Sequence, residues 1–169
     1  MDRLGADFDE FVRGASPSLL RTAYLLTGDR GHAEDLLQTA LLHTARRWRK
    51  VHTDPQSYAR RAVVNLAKNR WRDRSRRPRE VATSVEPSYG PPDGTVLLER
   101  LLTQAVLRLP TRQRAVLVLR YFQDLTVEQT ADLLGCSTGT VKSQSHHALA
   151  KLRAALGDSM ELKETDDAH

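Results

Sequence analysis

The chain has 169 residues, of which 40% are hydrophobic and 28% are charged, and its net charge is +5. A chain of this length holds one or two small cores, which excludes the layered core of a large enzyme. Its single cysteine, Cys136, excludes an internal disulfide and a cysteine-rich zinc site. The start MDRLGADFDEF is too acidic for a signal peptide, and no run of about 18 apolar residues occurs. We therefore expect a cytoplasmic protein without membrane insertion.

The positive charge falls in two blocks. Residues 1–77 carry a net charge of +7 and residues 95–156 carry +4, whereas residues 78–94 carry −2 and residues 157–169 carry −4. Two basic blocks separated by an acidic segment indicate two surfaces for polyanions rather than one diffuse charge.

The first block predicts three helical regions. The first covers about Asp7 to Thr27 with a break near Ser16-Pro17, and Gly28-Asp29 ends one helix and begins the next. The second, Gly31 to Lys50, is the clearest amphipathic helix. Its apolar face contains Ala33, Leu37, Ala40, Leu41, Thr44 and Trp48. Its opposite face contains Asp35, Gln38, Thr39, Leu42, Arg46 and Arg49. An apolar Leu42 among polar neighbours is typical of a protein–protein contact, although one exposed leucine is also ordinary.

The third region is a long basic helix. Asp54-Pro55 is a helix-start signal, and the helix is expected to end near Arg76. Residues 60–77 hold eight Lys or Arg but only one acid, Asp73, with Asn65, Asn69 and Trp71 interleaved. This density favours a nucleic-acid surface, on which the aromatic ring and the amides read unstacked bases. A solvated charged face is the alternative.

The segment from Arg77 to Gly94 contains four of the seven prolines and predicts a flexible linker. Beyond it we expect helices at about Thr95–Arg108, Thr111–Phe122, Thr126–Leu134 and Thr138–Leu156. The acidic residues from Gly157 onward are expected to be disordered.

The last two of these helices form a predicted helix-turn-helix. Thr126 with Gln129 is a capping box, Gly135 is a helix stop, and a second cap is expected at Thr138. Val141, Ser145, Ala148, Leu149 and Leu152 should pack inward, so that the opposite face can enter a major groove. That face contains Gly139, Thr140, Ser143, His146 and His147, with Lys142 at its margin. An ordinary helical hairpin is the alternative. Adjacent helical residues diverge by 100°, so His146 and His147 are not expected to bind a metal.

These patterns predict an all-α protein with two small helical domains joined by a flexible linker. The expected domains are residues 1–77 and 95–156, with the linker at 78–94 and the acidic tail at 157–169. No Ser-His-Asp set, metal cluster or phosphate-binding glycine loop is present, so we expect neither catalysis, nor a cofactor, nor a small-molecule substrate.

Four motifs, in order and spacing, resemble the sigma-70 family of RNA polymerase sigma factors, extracytoplasmic-function (ECF) group. Ala33 to Gln38 with Trp48 resembles the region 2 helix that docks on the polymerase clamp. Pro55 to Arg77, with VVNLAKNRWR at Val63 to Arg72, resembles the part of region 2 that melts and reads the minus-ten element. Leu109 to Arg114, with Tyr121, resembles the opening of region 4, and Gly139 to Ser143 resembles its recognition helix.

The resemblance implies partners and site residues. Core RNA polymerase (its beta and beta-prime subunits), promoter DNA and an anti-sigma factor are the implied partners. Residues implied to contact the core enzyme are Asp35, Gln38 and Leu42. Residues implied at the minus-ten element are Asn65, which reads a flipped base, and Arg60, Arg61, Lys68, Arg70 and Arg72. Residues implied at the minus-thirty-five element are Thr138, Thr140, Lys142, Ser143, His146 and His147. The implied linker path lies near the RNA exit of the polymerase.

The chain departs from the family pattern at Gln144 and His147, where the family often has arginine. Loss of two guanidinium groups weakens the expected grip on phosphate or shifts sequence preference at the upstream element. Two rival interpretations stay open at this point. A stand-alone helix-turn-helix regulator leaves the basic helix and the long linker unexplained. A protein that sequesters polymerase without promoter choice predicts that Ser143→Ala with His147→Ala leaves promoter selection unchanged.

Overall fold

The computed structural model describes residues 3–76 and 94–164, and every regular element within those two ranges is a helix. The chain divides into two compact units, residues 1–86 and 87–169. All of the predicted linker at residues 78–94 except Gly94, and the last five residues, 165–169, lie outside the described residues.

Residues 3–76, the described part of the first unit, form four helices. They are α1 (Arg3–Thr27), α2 (Arg30–Arg46), α3 (Trp48–Val51) and α4 (Pro55–Arg76). Helices α1, α2 and α4 pack against one another in all three pairs. Their buried stripes supply the core: Leu19, Leu25 and Leu26 from α1, Ala33, Ala40 and Thr44 from α2, and Ala59, Val63, Val64 and Ala67 from α4. The apolar face predicted for α2 is thus confirmed at Ala33, Ala40 and Thr44, while Leu37 and Leu41 of that face are half-buried.

The corner between α1 and α2 is built as the sequence predicts. Gly28 has a positive φ of 72°, which glycine adopts without a steric penalty. Asp29 then caps α2, because its side chain accepts a hydrogen bond of 2.9 Å from the backbone N–H of His32.

The predicted break at Ser16-Pro17 is wrong, since α1 runs through it as one helix. Proline removes one backbone donor and leaves the carbonyl of Arg13 without its usual partner. Arg13 and Pro17 are both exposed to water, whereas Ala15 and Leu19 on the other side of the helix are buried. Water can therefore solvate the carbonyl while tertiary packing keeps the helix continuous.

The predicted helix from Gly31 to Lys50 is divided in the structure. Arg47, with φ of −110°, separates α2 from the single turn of α3. At this step the indole ring of Trp48 packs on α1, with ring centroids 5.2 Å from Phe8 and 5.4 Å from Phe11. An aromatic cluster therefore closes this end of the first unit.

The second unit contains α5 (Gly94–Leu107), α6 (Thr111–Leu117), α7 (Val127–Leu134) and α8 (Thr138–Glu164). Helix α6 continues as a π-helical turn at Val118–Phe122, which the helical periodicity does not predict. Val116, Ala131 and Val141 form a buried cluster between α6, α7 and α8, against which Val127, Leu134 and Cys136 pack. Cys136 thus serves as a small apolar filler in the turn.

The caps of the helix-turn-helix are largely as predicted. Thr126 and Gln129 form the reciprocal capping box, with hydrogen bonds of 3.0 and 2.9 Å, and Gly135 ends α7 with φ of 69°. The second cap is not Thr138 but Ser137, whose hydroxyl accepts a 3.1 Å hydrogen bond from the N–H of Thr140. Thr138 is instead the first residue of α8.

The end of α8 also differs from the prediction. The helix continues from Leu156 through the acidic residues to Glu164, so the disorder expected from Gly157 onward is wrong for residues 157–164. The acidic composition of this segment led to an underestimate of its helical length, because a helix that is already nucleated propagates at a small cost per residue.

We predict that Gly135→Ala lowers the free energy of unfolding by about 1–2 kcal/mol, because a Cβ is strained in the left-handed region. The matched control is Gly14→Ala, at an exposed mid-helix position where an added Cβ meets nothing within 4 Å. The control should gain up to about 1 kcal/mol. Urea denaturation followed by circular dichroism measures both changes, and equal stabilities for the two variants would contradict the prediction.

Candidate nucleic-acid and polymerase interfaces

Helix α4 has one buried side and one exposed basic side. Asp54 caps the helix, and hydrogen bonds from Ser57 hold the pKa of its carboxyl below the ordinary value. The buried side contains Ala59, Val63, Val64 and Ala67. With these residues packed in the core, α4 can rotate only slightly, and its other side has to face outward.

The exposed side of α4 brings most of the predicted strand-binding residues together. Arg61, Asn65, Lys68 and Arg72 follow one another at intervals of four, three and four residues, so they lie along one face of the helix. We call these four residues the α4 face. Arg61, Asn65 and Arg72 are exposed, while Lys68 and the neighbouring Arg60 are half-buried. At a rise of 1.5 Å per residue, the face is about 16 Å long.

Arg70 and Trp71 do not belong to that face. The Nη2 of Arg70 lies 2.6 Å from Nδ1 of His32 at the start of α2. The indole Nε1 of Trp71 donates a 3.2 Å hydrogen bond to the carbonyl of Leu26 near the end of α1. Both side chains are half-buried. Trp71, expected to stack on bases, instead joins α4 to α1, and Arg70 joins α4 to α2.

Helix α2 presents the residues predicted to contact the polymerase. Asp35, Gln38 and Leu42 are all exposed on the side opposite the buried Ala33, Ala40 and Thr44. Leu42 is 51% exposed, which makes it one of the few large apolar side chains in the described residues that face solvent to this extent. An apolar side chain flanked by a carboxylate and an amide suits docking on another protein.

Helix α8 separates its faces as predicted. Val141, Ser145 and Ala148 are buried, and Leu149 and Leu152 are half-buried. Exposed residues on the other side are Thr138, Gly139, Lys142, Ser143, His146 and His147. The exception is Thr140, which is half-buried and whose hydroxyl lies 2.9 Å from Oγ of Ser137. Ser137 was not predicted as the cap of α8, although a serine directly before a helix is a common cap.

The rings of His146 and His147 have centroids 6.0 Å apart and planes at 73°. Within the described ranges, no group of three or more His, Cys, Asp or Glu is placed to hold a metal ion. Among those same residues, no helix is both long and apolar enough to span a bilayer.

Two family models match the chain, and each falls on one of the two units. The model of sigma-70 region 2 matches residues 11–77, and the model of sigma-70 region 4 matches residues 99–152. The chain belongs to the sigma-70 family. It is a sigma factor of the ECF group, whose members bind core RNA polymerase and promoter DNA, and it directs promoter-specific transcription initiation. Sigma factors are generally regulatory proteins rather than enzymes.

Named relatives agree with the family assignment. The sigma factor is 41% identical over 154 residues to the RNA polymerase sigma-E factor of Streptomyces coelicolor, covering 89% of this chain and 86% of the relative. It is 37% identical over 148 residues to the ECF sigma factor SigL of Mycobacterium tuberculosis, covering 82% of each chain.

Solved structures show the same fold. The sigma factor RpoE of Bartonella quintana, solved in complex with the anti-sigma factor NepR, matches with a TM-score of 0.67 at 23% identity. That match covers 89% of this sigma factor and 97% of the solved chain. CnrH, solved in complex with the cytosolic domain of CnrY, matches with a TM-score of 0.59 at 21% identity. Family membership disfavours the two rivals, the stand-alone regulator and the sequestering protein.

Proposed function

We propose that this sigma factor divides promoter recognition between its two units. In the proposal the α4 face holds the opened strand of the minus-ten element, and the exposed side of α8 reads duplex DNA at the minus-thirty-five element. The observation that supports it best is the α4 face itself. This face sets three cations and one amide in a line, on a helix whose opposite side is fixed in the core.

An opened strand needs two kinds of contact. Its phosphates need cations, which Arg61, Lys68 and Arg72 supply, together with Arg60 at the margin of the face. Its unstacked bases need hydrogen-bonding groups that reach a base edge, and the exposed Asn65 carries both a donor and an acceptor. Because strand capture lowers the free energy of the opened promoter, it favours melting without a chemical step on this chain.

Duplex DNA at the upstream element needs a helix end that fits a groove. In the proposal Thr138 and Ser143 contact bases or phosphates at the start of α8, with Thr140 held behind them by Ser137. Lys142, His146 and His147 lie on the same exposed side and contact the phosphate backbone.

The core enzyme supplies the chemistry, and this sigma factor has no catalytic step of its own in the proposal. Asp35, Gln38 and Leu42 on α2 dock on the core enzyme, within its beta and beta-prime subunits. The proposed place of action is the cytoplasm, where the polymerase works. An anti-sigma factor is a further proposed partner, because RpoE of Bartonella quintana is solved with one.

We predict that Leu42→Ala weakens binding to core RNA polymerase about tenfold, since a buried apolar anchor contributes roughly 1.4 kcal/mol or more to such a contact. Leu42→Met keeps most of the apolar surface and should bind within about twofold of wild type. Titration of labelled sigma factor with core enzyme measures both. Unchanged affinity of the alanine variant would remove Leu42 from the interface.

Asn65→Ala should lower run-off transcription from a duplex promoter roughly tenfold, because one base contact is worth about 1–3 kcal/mol. A promoter that is already melted over the minus-ten element separates two roles. Loss on both templates indicates base reading, and loss on the duplex alone indicates help in melting. Equal yields of variant and wild type on both templates would dismiss Asn65 from either role.

Gly139→Ala tests how closely DNA approaches α8. An added Cβ would meet only Oγ of Ser137 at 3.8 Å, so the folded protein has room for it and should be stabilised slightly. The first turn of a helix is where phosphate approaches backbone N–H groups, and a methyl group there obstructs the approach.

We therefore expect Gly139→Ala to lower transcription from a promoter that depends on its upstream element by about fivefold or more, or about 1 kcal/mol. Gly14→Ala is again the matched control, as it adds the same methyl group to an exposed helix and should leave transcription unchanged. If both variants transcribe equally well, DNA does not approach α8 at Gly139.

A further inference from the structure

The end of α4 is joined to the corner between α1 and α2 at two successive residues. Trp71 donates to the carbonyl of Leu26, and Arg70 reaches His32, which is 38 positions away in the sequence. Arg70 lies between Lys68 and Arg72 of the α4 face. A contact that fixes Arg70 therefore also fixes the last turns of the α4 face, which we propose binds the opened strand.

The contact between Arg70 and His32 requires one protonation state of the histidine. A guanidinium group can only donate, so at 2.6 Å the imidazole Nδ1 has to accept and cannot carry a proton. The imidazole is then neutral, with its proton on Nε2. The Nε of Arg70 is buried without a hydrogen-bond partner. Loss of the contact with His32 would therefore leave a second nitrogen of the same guanidinium group without that partner.

The side chain of Asp29 offers a hydrogen-bond acceptor to Nδ1 of His32. Oδ1 of Asp29 is 3.2 Å from Nδ1 of His32. Hydrogen bonding from the backbone of His32, together with the charge of Arg70, holds the pKa of the Asp29 carboxyl below its ordinary value. Asp29 is therefore a carboxylate at every pH at which histidine titrates, and a protonated Nδ1 would donate to it.

Other charges around this contact are also defined. Burial is the main reason that the pKa of Arg70 is lowered, and Arg74 from α4 lowers it further, whereas Asp29 and Asp35 raise it. Glu34 on α2 is paired with Arg30 at 3.0 Å, on exposed side chains. Protonation of His32 thus places a like charge beside Arg70 and exchanges the Arg70–His32 bond for a His32–Asp29 bond.

We propose that His32 is a positioning residue for promoter opening: neutral His32 holds Arg70 and fixes the end of the α4 face, and protonated His32 releases it. The inference rests on the strand-binding role proposed for α4. Arg70, which the family resemblance implies at the strand backbone, then acts through its place in the fold rather than by touching DNA.

The test is run-off transcription from a duplex promoter at pH 6.0 to 8.0 with one preparation of core enzyme. The yield of each variant is divided by that of wild type at the same pH, which cancels the pH dependence of the polymerase. His32→Asn places an amide oxygen near the position of Nδ1, where it accepts from Arg70 and does not titrate. His43→Asn, a histidine of the same helix, is the matched control.

We expect the ratio for His32→Asn to stay near one at pH 8 and to rise roughly threefold toward pH 6, because asparagine keeps the contact with Arg70 that a protonated His32 cannot make. His32→Ala lacks an acceptor, so its transcription yield at pH 8 should be roughly fivefold below that of wild type, which is the effect expected from the loss of one hydrogen bond. At pH 6 its yield should approach that of wild type. His43→Asn should give a flat ratio. Thermal melts at both pH values verify that each variant is folded.

A ratio for His32→Asn as flat as that for His43→Asn overturns the inference. A double variant of the α4 face, Arg61→Ala with Arg72→Ala, separates this failure from failure of the proposed function. If the double variant loses promoter opening while His32→Asn is flat, only the inference fails. If the double variant opens the promoter as wild type does, the strand-binding role of α4 fails as well.

Discussion

Burial of one apolar stripe per helix is the constraint on which the other features of this sigma factor depend. In α4 the stripe at Ala59, Val63, Val64 and Ala67 is in the core, so the helix can neither rotate nor withdraw its cations. Burying small aliphatic residues contributes about 25 cal/mol for each Å² of apolar surface removed from water. On the opposite side, Arg61, Lys68 and Arg72 form a line of cations that a polyanion can bind. One side of α4 therefore stabilises the fold, and the opposite side is the surface proposed to hold the opened strand.

In the second unit, a tight turn between α7 and α8 sets the direction of α8 and leaves its first residues exposed. Gly135 turns the chain in the left-handed region, and Ser137 caps the new helix two residues later. So short a turn leaves little freedom in the direction of α8 relative to α7, and Val141 then packs into the cluster with Val116 and Ala131. The exposed residues at the start of α8 are placed by these buried contacts.

Much of this could be predicted from the sequence, because helical periodicity and caps are local signals. The buried and exposed faces of α2 and α8, the capping box at Thr126 and the stop at Gly135 all agree with the structure. The predicted break at Pro17 is wrong because local propensity was opposed by tertiary packing of α1. The length of α8 was underestimated for a related reason, since composition does not report how far a nucleated helix extends.

The remaining features depend on contacts between distant residues, which no local pattern reports. Arg70 and Trp71 look like members of a basic, base-stacking surface, and only the fold shows that they contact His32 and Leu26. The break at Arg47 likewise accompanies the packing of Trp48 on Phe8 and Phe11. From the sequence alone, a helix that contacts DNA and a helix that also braces its neighbours have the same composition.

Two faces of this sigma factor are proposed to contact two forms of promoter DNA, and site-specific photocrosslinking can distinguish those contacts. A crosslinker is placed at Asn65 or at His146 and irradiated in a complex with core polymerase and a labelled promoter. We expect crosslinks from position 65 to one strand of the minus-ten element and from position 146 to the upstream duplex. Crosslinks from position 65 to upstream duplex, or to no DNA in an open complex, would contradict the proposal.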